Sequence, residues 1–204
     1  MTIGLIDIKS GNLQSLISAI EKIGVKYKIC QKQEDFNEIS KVILPGVGAF
    51  SDFMERLKDK KLMTTIKKMC NQNIPFLGIC VGFQVIFEKS YEHKVTEGLG
   101  LLKGSFQSLN SKDGKIKIPH VGWNNCNFLK ESKIFDGIEN NSDFYFDHSY
   151  ILNYGDKNCF LSETNYEINF ISSINYKNIY GVQFHPEKSQ HNGLKLLKNF
   201  CECC

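Results

Sequence analysis

The sequence predicts an α/β fold: a single domain with a central, mostly parallel sheet flanked by helices, and antiparallel strands added in the C-terminal half. Three observations carry that expectation. Up to Lys89, short apolar runs alternate with stretches whose apolar residues recur at helical spacing. Beyond Glu92 the pattern changes to short runs separated by Asn, Gly, Asp and Lys. The 204 residues suffice to bury one core and are too few for two ordinary domains. One unit over 1–204 is expected, with no repeat, low-complexity segment or linker.

Ile3 to Ile8 reads as a buried strand, and Asn12 to Ile23 as a helix with Leu13, Leu16, Ile17, Ile20 and Ile23 on one face before Gly24 ends it. Val25 to Cys30 and Lys41 to Leu44 are strands, and Phe50 to about Cys70 is an amphipathic helix. Ile74 to Ile79 is a strand, and Val81 to Lys89 the helix behind it. In the second half, Phe144 to Tyr150, Cys159 to Glu163, Ile168 to Ile174 and Ile179 to Phe184 read as strands, partly antiparallel, and Leu194 to Phe200 as the last helix. Ser111 to Lys115 is expected to be a hairpin tip or loop. Sites in such sheets lie outside the carboxyl ends of the strands, which is where Cys80 falls.

Charge and composition remove several classes. A net charge of +3, from 25 basic against 22 acidic residues without a dense basic block, gives no reason to expect a nucleic-acid partner. No apolar run approaches membrane-spanning length, and Met1 to Ile6 enters Asp7 without a basic leader, so a cytoplasmic protein without a membrane partner is expected. The eight cysteines are expected to stay reduced. Cys30, Cys70, Cys126 and Cys159 read as small hydrophobes, and Cys201, Cys203 and Cys204 as an unconstrained chain end lacking the paired spacing of a metal site. Neither a metal nor a cofactor is expected.

The chemistry concentrates in two runs. Phe76-Leu77-Gly78-Ile79-Cys80-Val81-Gly82-Phe83-Gln84 contains Gly-x-Cys-x-Gly after an apolar strand, the pattern of a sharp strand-to-helix turn that presents one side chain at its apex. Amides at the start of the following helix favour a thiolate there. Gly181-Val182-Gln183-Phe184-His185-Pro186-Glu187 supplies an imidazole and, two residues on, a carboxylate that a strand would place on the same face. Cys80, His185 and Glu187 would then be nucleophile, base and orienter. His148 is the rival base but has no such companion; His93 and His191 read as surface residues, and His120 belongs to the Pro119 to Asn124 segment. Leu44-Pro45-Gly46-Val47-Gly48 is a tight turn after a strand, and it lacks the lysine and spacing of a nucleotide-binding loop.

Together with Asp7-Ile8-Lys9-Ser10-Gly11-Asn12-Leu13, Ile118-Pro119-His120-Val121-Gly122-Trp123-Asn124 and His148-Ser149-Tyr150, these runs resemble the class I glutamine amidotransferases, and among them the glutaminase subunits of imidazole glycerol phosphate synthase. The resemblance implies a flavodoxin-like fold and hydrolysis of L-glutamine to glutamate and ammonia through a Cys80 thioester. By position the Val81 N–H is one oxyanion donor, and the resemblance places the other at Val47. It makes Gly46, Gly48, Gln84, Glu92, Ser149 and Tyr150 the glutamine pocket. It also implies a heterodimer with a (β/α)8-barrel cyclase that uses the ammonia to make imidazole glycerol phosphate and AICAR in histidine biosynthesis, with Asn12, Trp123, Asn124 and Lys188 as the contact surface. The sequence departs from the family's usual pattern at Ile8-Lys9-Ser10, Val81, Phe83 and Asp147. A paralogue feeding a different synthase, such as one that amidates sugars, is the nearest alternative. A cysteine hydrolase of γ-glutamyl conjugates and a non-catalytic interaction protein are the others.

Overall fold

A computed structural model describes residues 1–110 and 116–204, so the Ser111 to Lys115 turn expected above lies outside the described residues. The first half runs β1 (Ile3–Ile6), α1 (Leu13–Lys22), β2 (Tyr27–Cys30), β3 (Lys41–Leu44), α2 (Phe50–Asp59), α3 (Leu62–Asn71), β4 (Phe76–Ile79) and α4 (Val81–Gln84). Then come β5 (Lys89–Ser90), β6 (Thr96–Glu97), β7 (Gly104–Ser108), β8 (His120–Phe128), β9 (Ser142–His148), β10 (Tyr150–Gly155), β11 (Phe160–Tyr166), β12 (Ile168–Tyr176), β13 (Ile179–Val182) and α5 (Gln190–Cys203).

The main sheet has the order β2-β1-β3-β4-β13-β12-β11-β8-β9. Its first five strands are parallel, and from β13 outward every pairing is antiparallel. Every residue of β1, β3, β4 and β13 is buried, the mark of parallel strands covered on both faces. On these strands α1 packs with α5, and α2 with α3. A smaller sheet, β10-β7-β5-β6, stands apart from the first. The last strand of the chain, β13, inserts beside β4 in register Gly181 to Gly78 and Val182 to Ile79, so the loops bearing His185 and Cys80 leave neighbouring strand ends on the same edge.

Several boundaries differ from the sequence reading. The long helix from Phe50 is two helices, broken at Lys60–Lys61, where Lys61 takes the left-handed conformation at φ 56°. The helix behind Cys80 is a single turn: Val85, Ile86 and Phe87 are fully buried in a bend, and Lys89–Ser90 is a strand. The run from Phe144 divides at Ser149 into strands of different sheets. The final helix begins at Gln190 and continues through Cys203, so the terminal cysteines are not a loose end: Cys201 is fully buried and Cys204 half-buried. Cys30, Cys70, Cys126 and Cys159 are buried free thiols.

Candidate active site

The turn after β4 is built by what its glycines lack. A Cβ at Gly78 would stand 2.4 Å from the Gly82 carbonyl oxygen, and one at Gly82 would stand 1.9 Å from the Leu44 carbonyl oxygen. With both positions bare, Cys80 sits at φ 54°, ψ −110°, outside the comfortable regions for a side-chain-bearing residue. Its amide donates to the Val182 carbonyl at 2.8 Å, and its own carbonyl accepts from Phe83 and Gln84 at 3.0 Å each. Among the described residues no backbone carbonyl takes the Val81 N–H. Since α4 is one turn long, local amides rather than a macrodipole act on the sulfur.

His185 and Glu187 do not share a strand face as expected. β13 ends at Val182, and a short 3-10 turn over Pro186–Lys188 brings the carboxylate back to the ring. His185 Nδ1 donates to Glu187 Oε1 at 2.7 Å, and both side chains are essentially sealed from solvent. The Asn12 side-chain amide donates to the same oxygen. Among the described residues, His185 Nε2 and Glu187 Oε2 are buried without hydrogen-bond partners. Burial opposes a charged His185, yet the adjoining Cys80 sulfur and Glu187 outweigh it and raise the imidazole pKa to about 10. The sulfur also makes longer contacts, each at 3.8 Å, to the Asp147 carbonyl and to the Gln183 amide nitrogen.

These groups open onto a pocket of about 260 Å³, suited to a ligand of amino-acid size. Val47, Gly48, Cys80, Val81, Gln84, Glu92, Ser149, Tyr150 and His185 line it, along with Pro119, Asp147 and His148, which the sequence reading had not assigned to it. Gly46 is absent from the lining. A Cβ there would meet the Phe53 ring at 2.3 Å, so this glycine serves the packing beneath the loop. Glu92 is no free surface carboxylate: its Oε2 accepts the Phe50 N–H at 2.7 Å at the start of α2.

The four residues assigned to a contact surface divide. Trp123 is 48% exposed and meets Tyr145 edge-on at 6.1 Å, while the Lys188 ammonium lies 5.2 Å from the centre of the same Tyr145 ring. Asn124 donates to the Asn165 carbonyl at 3.0 Å and lies 3.3 Å from His120 Nε2. Asn12 turns inward to Glu187. His148, the rival base, is buried against His120 with ring nitrogens 3.0 Å apart, and burial lowers the pKa of the two to about 3 and about 4. Both His148 nitrogens are engaged, Nε2 by His120 and Nδ1 by the Tyr150 carbonyl at 3.0 Å, so neither is free to act as a base on Cys80. Gln183, enclosed against the sulfur, was missed because an amide just past the end of a buried strand carries no signal of its own. Among the described residues no side-chain cluster could hold a metal ion, and no helix is long and apolar enough to cross a membrane.

Comparison with known proteins gives the same direction. A family profile described as glutamine amidotransferase class-I matches residues 4–203. The imidazole glycerol phosphate synthase subunit HisH of Methanocaldococcus jannaschii is 44% identical over 200 residues, spanning 98% of this chain and 98% of that protein. The corresponding HisH of Aquifex aeolicus is 44% identical over 197 residues, 96% of this chain and 94% of the relative. A crystal structure described as a glutamine amidotransferase superimposes with a TM-score of 0.77 at 14% identity, covering 98% of this chain and 97% of the other. PurLQS from Thermotoga maritima does so at 0.77 and 17% identity, covering 98% and 96%; at such identities the likeness is one of fold. By sequence over nearly its whole length, the chain belongs to the class I glutamine amidotransferase family, in the group of imidazole glycerol phosphate synthase HisH subunits.

Proposed function

We propose that this chain, acting as one unit over 1–204, is the glutaminase subunit of an imidazole glycerol phosphate synthase. It hydrolyses L-glutamine to glutamate and ammonia for histidine biosynthesis. The observation that carries the reading is His185 Nε2, a buried ring nitrogen that interacts with the strained Cys80 sulfur and makes no well-formed hydrogen bond to any other group, with Glu187 fixing the opposite nitrogen. Buried polar atoms are seldom left unpaired, and an exception facing a nucleophile is a working group in its resting position.

In the mechanism the Cys80 thiolate attacks the side-chain amide carbon of glutamine. The carbonyl oxygen becomes an oxyanion, received by the Val81 N–H and by the Val47 amide of the neighbouring loop. Each such donor is worth about 3 to 4 kcal/mol of barrier. His185 passes its Nε2 proton to the departing nitrogen, the C–N bond breaks, and ammonia leaves a thioester on Cys80. His185 then takes a proton from water as the hydroxyl oxygen bonds to the thioester carbon, and glutamate departs with Cys80 restored. Glu187 holds the ring throughout. Glu92 Oε1, which lies 4.0 Å from His93 Nε2, is the carboxylate oxygen that takes the substrate's ammonium, while Gln84, Gly48, Ser149 and Tyr150 wall the rest of the pocket.

Ammonia released into neutral water is protonated and ceases to be a nucleophile, so the product must be handed to a synthase. The partner is a HisF-type (β/α)8-barrel cyclase in a heterodimer that works in the cytoplasm. The exposed Trp123 with Tyr145 and Lys188, and the nearby Asn124, form the docking face; Asn12 connects to it through Glu187. The names of the relatives favour this acceptor over a sugar amidotransferase. The test is Cys80→Ala in the assembled complex. Glutamine-dependent synthesis is expected to vanish while synthesis from added ammonium salt persists, and retained use of glutamine rejects the proposal.

A further inference from the structure

Gln183 touches no part of the pocket, yet its side chain joins two residues that do. Its Nε2 lies 3.8 Å from Cys80 Sγ, and its Oε1 accepts from Gln84 Nε2 at 3.2 Å. Gln183 is 1% exposed and Gln84 4% exposed, so the bond between the two amides is shielded from water. Two residues before His185 in the chain, Gln183 approaches the sulfur from the same segment as the imidazole.

The direction of this chain follows from the chemistry of its end. A thiolate only accepts hydrogen bonds, so the Gln183 nitrogen must face it. That orientation turns Gln183 Oε1 toward Gln84, which must answer with its own nitrogen. The Gln84 oxygen is then the end left open on the pocket that Gln84 lines. Rotating Gln183 by half a turn would set its oxygen against the sulfur and its nitrogen against the Gln84 nitrogen, and rotating Gln84 would set oxygen against oxygen. The charge of the nucleophile thereby dictates which end of Gln84 meets the ligand.

We propose that Gln183 is a positioning residue with two effects: its N–H supports the Cys80 thiolate, and its carbonyl fixes Gln84 so that an oxygen acceptor faces an N–H donor of glutamine. The inference rests on the glutaminase reading above and adds a residue to it.

Two variants separate the effects in the assembled complex. Gln183→Met keeps the volume and removes both bonds. Gln183→Glu keeps an acceptor for Gln84 but removes the donor and places an anion beside the sulfur. Alkylation by iodoacetamide, followed on the Cys80 peptide by mass spectrometry, reads the thiolate directly. Its pH profile is expected to move upward by about one unit in Gln183→Met, because a hydrogen bond to the charged form has been lost, and further in Gln183→Glu, where an anion is added beside the sulfur. The glutamine KM is expected to rise about tenfold in Gln183→Met and to stay within about twofold in Gln183→Glu. Synthesis from ammonium salt remains at the wild-type rate and certifies folding and docking. An unmoved alkylation profile in both variants overturns the proposal, as does an equal KM rise in the two. Neither result touches the glutaminase reading, which stands or falls on Cys80→Ala.

Discussion

Glu187 accepts two donors on one carboxylate oxygen and leaves the other bare. The Nδ1–H of His185 is one donor, and the Asn12 side chain, at the start of α1, is the second. Asn12 therefore restrains the carboxylate that restrains the ring, and it does so from a half-buried position reaching toward the protein surface. Replacing it should loosen the imidazole without altering the pocket. Asn12→Ala is expected to lower kcat for glutamine about tenfold with KM unchanged, the signature of an interaction that matters in the transition state. Steady-state kinetics on the complex decide it, and a change confined to KM would place Asn12 in ground-state binding instead. At this scale the proposed triad of Cys80, His185 and Glu187 was legible because each residue sits in a run whose glycines or proline demand a particular turn. Gln183 was not, and Asn12 was read only as a contact-surface residue: both are ordinary amides whose meaning comes from side chains 103 and 175 residues away.

Between residue and fold, the turn around Cys80 depends on three backbone segments meeting without side chains between them. Leu44 closes β3, Gly78 lies in β4 and Gly82 in α4, and the Leu44 carbonyl passes closer to Gly82 than any Cβ tolerates. Backbone cannot retreat as a flexible side chain would. Gly82→Ala is expected to destabilise the protein by about 3 kcal/mol and to displace Cys80. Denaturant unfolding and Cys80 alkylation should both register the change, and a fully stable Gly82→Ala with wild-type alkylation would mean that the approach is less rigid than described. The strand preceding Cys80 was legible from its apolar run. The length of the helix after it was not, because Val85, Ile86 and Phe87 suit a buried helix and a buried bend alike. The bend prevails where Phe83, Phe87 and Phe106 meet edge to face at 5.5 Å and draw the chain onto β7. The break at Lys60–Lys61 was hidden for a related reason: neither glycine nor proline marks it, and the apolar rhythm continues across it.

Across the whole molecule, the parallel half could be anticipated from alternation, but the insertion of β13 between β4 and β12 is a long-range pairing that no local pattern announces. The same pairing logic brings His120 opposite His148 on β8 and β9, where the two rings form an ordered chain. His148 Nδ1 donates to the Tyr150 carbonyl at 3.0 Å, which leaves its Nε2 to accept from His120 Nδ1, also at 3.0 Å. His120 Nε2 can then accept from Asn124 at 3.3 Å. Both rings must be neutral for this pattern, since a second proton on His148 would face the N–H of His120. Burial accordingly holds both pKa values well below the ordinary 6.5, at about 3 for His148 and about 4 for His120. The sign follows from linkage. Between pH 6.5 and those values the unfolded chain binds more protons than the folded one, so this contribution is complete above 6.5 and is lost progressively as pH falls from 6.5 through 4 to about 3. Tm is expected to decline on acidification through that window, and His120→Gln, which removes one titrating ring, should decline less steeply. Calorimetry at a series of pH values provides the check, and parallel slopes in the two proteins would assign the acid sensitivity elsewhere. Because His148 also lines the proposed glutamine pocket beside Ser149 and Tyr150, the same acidification should weaken glutamine binding before the fold is lost.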